Sequence, residues 1–144
     1  MWAKHRLGHQ LALARSRTLL SDEEANSVEG VIDRLAGLIP RRPRGSLLHG
    51  DLWSGNALPT RDGRIGVIDP ACSVGDGLAD IAMMRLFGGF PEACFEAYSS
   101  SIDDHESVET QVAVYQIYHL LNHVNLFGRG YVGQVMEVAK AVTK

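Results

Sequence analysis

The chain has 144 residues, 45% of them hydrophobic and 22% charged, the composition of one soluble globular domain whose core needs neither a disulfide framework nor a structural metal. A net charge of −3 at pH 7 supplies no broad basic field, so nucleic acid and anionic membrane are excluded as expected partners. No apolar run approaches the ~18 residues of a membrane span and Met1–Gln10 lacks a secretion-signal core; with Cys72 and Cys94 in no paired motif, the expected compartment is a reducing cytoplasm.

Trp2 to Leu20 is rich in Ala, Leu and Arg, and Leu7, Leu11 and Ala14 fall on one stripe, which predicts a helix. Ser21-Asp22-Glu23-Glu24 then reads as a capping box opening a second helix. Its inward positions are Ala25, Val28, Ile32, Leu35 and Ile39, and Pro40 stops it. Arg41, Arg42 and Arg44 lie in a Pro-flanked loop that reads as a solvated linker rather than a phosphate site. Ser46-Leu47-Leu48-His49 predicts a short buried strand. Leu58-Pro59 and Ile65 to Ile68 flank an Asp62-Gly63 turn and predict a hairpin.

Pro70 to Gly77 reads as a glycine-punctuated loop. Leu78 to Phe87 predicts a buried helix closed by Gly88-Gly89, and Pro91 restarts a helix that runs through Tyr98. A long helix follows over Ser107 to Phe127, with Val108, Val112, Tyr115, Leu120 and Val124 inward, and an amphipathic one over Val132 to Val142. The expected fold class is mainly α (α+β): a helical lobe with a small β-hairpin.

The chemistry-bearing stretch is His49-Gly50-Asp51-Leu52-Trp53-Ser54-Gly55-Asn56, followed by Ile68-Asp69-Pro70. Asp51 and Asn56 have the spacing of a kinase catalytic loop, His-Arg-Asp-Leu-x-x-x-Asn, with Gly in place of Arg. Phosphoryl transfer needs a carboxylate within reach of the acceptor hydroxyl and hard oxygen ligands nearby for Mg²⁺. Asp51 is therefore the candidate base, and Asn56 and Asp69 the candidate metal ligands. The hairpin between them returns the chain so that amide and carboxylate can meet at one ion. Asp and Asn also cap turns, but that alternative requires strand, His-Gly-Asp, the step to Asn, hairpin and Ile-Asp to coincide by accident. His49 is expected to orient the loop through a backbone hydrogen bond.

These residues, together with Ile68-Asp69-Pro70-Ala71, Leu86-Phe87-Gly88-Gly89-Phe90-Pro91 and Tyr115 to His123, resemble the fructosamine (ketosamine) kinase family, over nearly the whole chain. The resemblance implies the aminoglycoside-phosphotransferase branch of the protein-kinase-like fold, with ATP, Mg²⁺ and a ketosamine as reactants. By that resemblance Asp51 takes a proton from the sugar 3-hydroxyl, Asn56 and Asp69 bind Mg²⁺, and Trp53 lines the acceptor pocket. An indole there suits a sugar face or a cationic amine; plain core packing is the lesser alternative for Trp53. Where the family usually reads Tyr-Gly-His-x-Glu-x-Asp, this chain has Val74-Gly75-Asp76-Gly77-Leu78-Ala79-Asp80, which leaves the acceptor class open. Asp80 is either a carboxylate that orients the catalytic loop or a helix N-terminal acid favoured by the dipole.

The same fold places a Gly-rich loop, a strand lysine and its glutamate partner in an N-terminal lobe. The only lysines here are Lys4, Lys140 and Lys144, none after an apolar strand. The 144 residues are thus expected to be a single domain, the C-terminal catalytic lobe, without the ATP-binding lobe. Gly128-Arg129-Gly130-Tyr131-Val132-Gly133-Gln134-Val135 fits a phosphate-loop pattern, but joins two predicted helices and reads as a C-cap and turn. His119 and His123 are four apart on a helix and read as packing, as do Tyr115, Tyr118, Phe127 and Met83-Met84. A missing lobe would leave apolar surface around Leu47, Leu52 and the hairpin, so a homodimer or a separately encoded lobe is an expected partner. The alternative reading is a non-catalytic remnant or interaction module of a small-molecule kinase fold.

Overall fold

A computed structural model describes residues 3–99 and 107–144; Trp2 lies outside them. A π-helical turn, Ala3–Leu7, leads into α1 (Gly8–Ser16) and α2 (Asp22–Leu38). The central segment carries β1 (Gly45–Leu48), a 3₁₀ turn at Ser54–Asn56, β2 (Ala57–Pro59), β3 (Ile65–Val67), β4 (Ser73–Asp76), α3 (Leu78–Phe87) and α4 (Glu92–Ser99). Then come α5 (Val108–Phe127), a 3₁₀ turn at Arg129–Tyr131 and α6 (Val132–Thr143). The fold is mainly α with small antiparallel sheets. Two compact units result, one combining the residues up to Arg41 with Glu109–Lys144, the other spanning Arg42–Val108. Among the described residues no helix is long and apolar enough to cross a membrane.

The first unit is all helix. Its core is built from the inward stripes of α1, α2, α5 and α6, including Leu11, Val28, Tyr115, Leu120, Val124 and Val135. In α2 the buried stripe runs through Val31, not the expected Ile32, which with Ile39 and Val108 is only half-buried. The capping box forms: Glu24 N–H donates to Ser21 Oγ (3.2 Å) and Ser21 N–H to Glu24 Oε2 (2.7 Å). That backbone hydrogen bond, with the guanidinium of Arg129 beside it, holds the Glu24 carboxyl below its usual range. Arg129 also donates to Leu19 O (2.8 Å), so the glycine-rich stretch at Gly128–Val135 is a helix-to-helix connection closed by Gly128 at φ 91°. Tyr115 is fully buried, whereas Phe127, expected inside, is two-thirds exposed (67%) near the C-terminal end of α5. His123 Nδ1 bonds His119 O (2.8 Å), and its ring lies 5.1 Å from that of Tyr131.

The first helix ends earlier than expected, at Ser16 rather than Leu20. Leu19 N–H donates to Ala14 O and Thr18 N–H to Arg15 O, both 2.9 Å, which is a Schellman closure with Thr18 at φ 53° in the left-handed position. Glycine normally announces such an end, and a β-branched residue there costs roughly 1–2 kcal/mol. Thr18→Gly should therefore raise stability by about 0.5–1 kcal/mol in urea unfolding, the gain trimmed by the chain entropy of glycine; a loss of stability would mean the closure is not as described.

The second unit holds two two-stranded antiparallel sheets. β2 pairs with β3 in the register Ala57↔Val67, Leu58↔Gly66, Pro59↔Ile65, which is the expected hairpin, turning at Gly63. β1 pairs with β4, Gly45↔Asp76 through Leu48↔Ser73; the stretch read as a loop from Pro70 to Gly77 thus contains a strand. Nor is β1 wholly buried. Leu48 points inward, while Leu47 and its cross-strand partner Val74 are each 79% exposed. Leu58, Ile65 and Val67 on the hairpin are exposed as well, and Leu52 is half-buried.

Candidate active site

The chain leaves β1 at Leu48 and turns through Gly50, at φ 83°. A Cβ at Gly50 would be driven into the carbonyl oxygen of Ala71, so the position demands glycine by both conformation and space. Beneath this turn the Asp80 carboxylate, in the first turn of α3, accepts from two successive backbone amides, His49 N–H at 2.7 Å and Gly50 N–H at 2.8 Å. Charge-assisted bonds of this kind are the strong ones. They fix the peptide that leads directly into Asp51.

The His49 ring fastens the loop on its other side. Nε2 lies 2.9 Å from Ile68 O, and Nδ1 lies 3.4 Å from Asp51 N. A neutral imidazole protonated at Nε2 satisfies both, donating to the carbonyl and accepting from the amide. Asn56, only 6% exposed, ends the 3₁₀ turn. Its Nδ2 donates to Asp51 O (2.9 Å) and to Asp51 Oδ2 (3.1 Å). A carboxylate cannot donate, so the amide orientation is chemically determined, and Asn56 Oδ1 accepts no hydrogen bond among the described residues.

Asp69 is placed by its neighbour. Ile68 N–H donates to Asn56 O (3.0 Å) while Ile68 O receives His49 Nε2, so both polar groups of the preceding residue are tied to the loop. Asp69 itself is exposed and held at φ 52°, a region that Asp visits more readily than most residues. Its carboxylate makes no hydrogen bond or ion pair among the described residues. Structure thus joins Asp51, Asn56, His49 and Asp80 directly, and delivers Asp69 through the hairpin. Trp53 stands 42% exposed in the same loop, its ring lying over the Cα of Gly55, where any Cβ would strike the indole.

Asn56 Oδ1 and the Asp69 carboxylate are hard, uncommitted oxygens of the type Mg²⁺ takes alongside phosphate oxygens and water. Of the two readings of Asp80, the amide contacts are those of a loop-orienting carboxylate. Sequence reasoning passed over Asp76, which is buried and accepts Leu78 N–H at 3.0 Å as α3 begins. The Asp-Gly pair ahead of an apolar run was the available signal.

The fructosamine kinase family model matches residues 1–144. This chain belongs to the fructosamine kinase family. It is 43% identical over 139 residues to the "Probable ketoamine kinase" of Synechocystis sp., covering 96% of this chain and 46% of that relative. The mouse "Ketosamine-3-kinase" is 38% identical over 99 residues, 69% of this chain and 32% of that one. A crystal structure of the "putative fructosamine-3-kinase" of Thermobifida fusca YX-ER1 superposes with a TM-score of 0.88 at 34% identity, over 98% of this chain and 49% of that chain. The chain spans about half the length of the curated relatives it matches.

Gly50→Ala should cost at least about 2 kcal/mol in urea unfolding, the left-handed conformation and the Ala71 carbonyl acting together. Wild-type stability in that variant would show that the loop does not turn as described.

Proposed function

We propose that this member of the fructosamine kinase family carries the catalytic loop of an ATP-dependent kinase that phosphorylates a sugar hydroxyl of a ketosamine, free or protein-bound. The observation that carries the reading is the Asn56 amide, whose nitrogen is spent on Asp51 and whose oxygen is thereby left for a cation. The names borne by the relatives favour a ketosamine as acceptor.

In this reading Asp51 accepts the proton of the acceptor hydroxyl as its oxygen bonds to the γ-phosphorus of ATP and the bond from that phosphorus to the bridging oxygen of ADP breaks. Asn56 holds the carboxylate by Oδ2, which keeps it aimed and lowers the cost of orienting it at the moment of transfer. Asn56 and Asp69 would hold Mg²⁺, which when bound would neutralise charge on the phosphates. Trp53 supplies a flat apolar face against the sugar or its amine. His49 and Asp80 touch no reactant and fix the loop.

Nucleotide-binding elements would come from polypeptide beyond these 144 residues, since no lysine here follows an apolar strand. The exposed apolar residues Leu47, Val74, Ile65 and Val67 favour burial against such a segment or a second copy of the chain. A cytoplasmic setting suits both the ATP requirement and the free thiols of Cys72 and Cys94.

The test is phosphoryl transfer from Mg-ATP to a fructosyl-amine by this chain alone and fused to the half of the Synechocystis relative that it does not span. Asp51→Asn should keep the melting transition and lower turnover by about 10²–10⁴-fold, the worth of a general base. Turnover unaffected by the substitution, or a fused protein that folds and binds ATP without transferring phosphate, would contradict the proposal.

A further inference from the structure

Asp80 can serve as a clamp only if the first turn of α3 is itself fixed, and that turn has no capping side chain at Gly77. Asp76 accepts Leu78 N–H there (3.0 Å), and Tyr98, from α4, adds a second contact. A Cβ at Gly77 would be driven into Tyr98 Oη and would lie 3.2 Å from Cζ, with Ser46 Oγ at 3.4 Å on β1. The phenol end is thus packed against the Gly77 backbone. Gly77 O in turn accepts from Asp80 N–H (3.2 Å) and Ile81 N–H (3.4 Å). Contacts therefore run without a break from the Tyr98 hydroxyl to Gly77, to Asp80, to the His49 and Gly50 amides, and so to Asp51.

We propose that Tyr98 is a positioning residue for the His49–Asp51 loop, holding the Gly77 turn so that the Asp80 carboxylate stays beneath the two loop amides. Among the described residues the charges that act on the phenol are Asp76 at the end of β4, Asp80 on α3 and Arg44 ahead of β1. Burial, followed by the two carboxylates, raises the Tyr98 hydroxyl above its ordinary range, with Arg44 opposing. The group therefore remains a neutral phenol at physiological pH and can act as a donor among acceptors.

The contact chain stands on geometry alone, whereas its consequence for turnover rests on the kinase reading. The experiment separates them. Backbone amide exchange at His49 and Gly50, followed by NMR, is compared between wild type, Tyr98→Phe and Gly77→Ala, with the melting temperature recorded for each. Both variants should exchange about five- to tenfold faster at these two amides while the amides of α2 keep wild-type rates. Gly77→Ala displaces the phenol without removing it, so it carries the test if Tyr98→Phe does not fold. Exchange within about twofold of wild type at His49 and Gly50, or equal acceleration in α2, would overturn the proposal, because the second outcome is general loosening. In the fused enzyme, Tyr98→Phe should lower kcat about tenfold at unchanged KM for Mg-ATP. Faster exchange with unchanged kcat would overturn the catalytic reading of the loop and leave the contact chain standing.

Discussion

Two oxygens of one carboxylate bonded to two consecutive amides define the centre of this molecule. A loop that leaves β1 to carry Asp51 cannot also satisfy its own backbone donors by strand pairing, and buried donors left unpaired cost about 1–3 kcal/mol each. Asp80 answers that need from α3. Because the acceptor is ionised and rigidly mounted on a helix, the peptide between His49 and Gly50 is held in one orientation. Everything downstream inherits that orientation: the position of Asp51, the Asn56 amide across from it, and the imidazole that ties the loop to Ile68.

The hairpin converts this local order into a two-sided site. Ile68 is bonded at its nitrogen to Asn56 and at its oxygen to His49, so the twelve residues between Asn56 and Asp69 return to a fixed place before Asp69 branches outward. Asp51, Asp69 and Asp80 then lie in one small unit with no ion pair to any of them among the described residues. Among the described residues no three His, Cys, Asp or Glu side chains are grouped so as to hold a metal ion, so in the proposed reading Asn56 and Asp69 would share a cation with phosphate oxygens and water. The left-handed backbone at Asp69 fits that role, since strain of this kind persists where surrounding bonds over-determine a residue.

Much of this was legible in the sequence, for identifiable physical reasons. Capping boxes, Pro stops and the Asp-Gly hairpin are local, and Ser21-Asp22-Glu23-Glu24, Pro40 and Asp62-Gly63 all announced the elements that form. The spacing from Asp51 to Asn56 was legible because one loop turn fixes it. What escaped was non-local or rested on an unusual residue. Thr18 closes α1 in a position normally given to glycine, so nothing in the letters marked the end. β4 is spelled Ser-Val-Gly-Asp, poor in strand formers, and exists because β1 offers it a partner. Leu47 sits in a strand read as buried, but the alternation of β1 turns it outward, in keeping with the apolar surface expected around it. The bonds from Asp80 to His49 and Gly50 span some thirty residues, and no spacing rule reports them.

The claim on which the account turns is that Asn56 and Asp69 form one cation site beside Asp51. Paramagnetic broadening of amide resonances by Mn²⁺ in the presence of nucleotide reads this directly in the folded chain. The account predicts broadening centred on Asn56 and Asp69, and its loss in Asp69→Ala with the fold intact. Broadening centred elsewhere, such as the acidic first turn of α2 at Asp22 to Glu24, or broadening at Asn56 that survives Asp69→Ala, would contradict it.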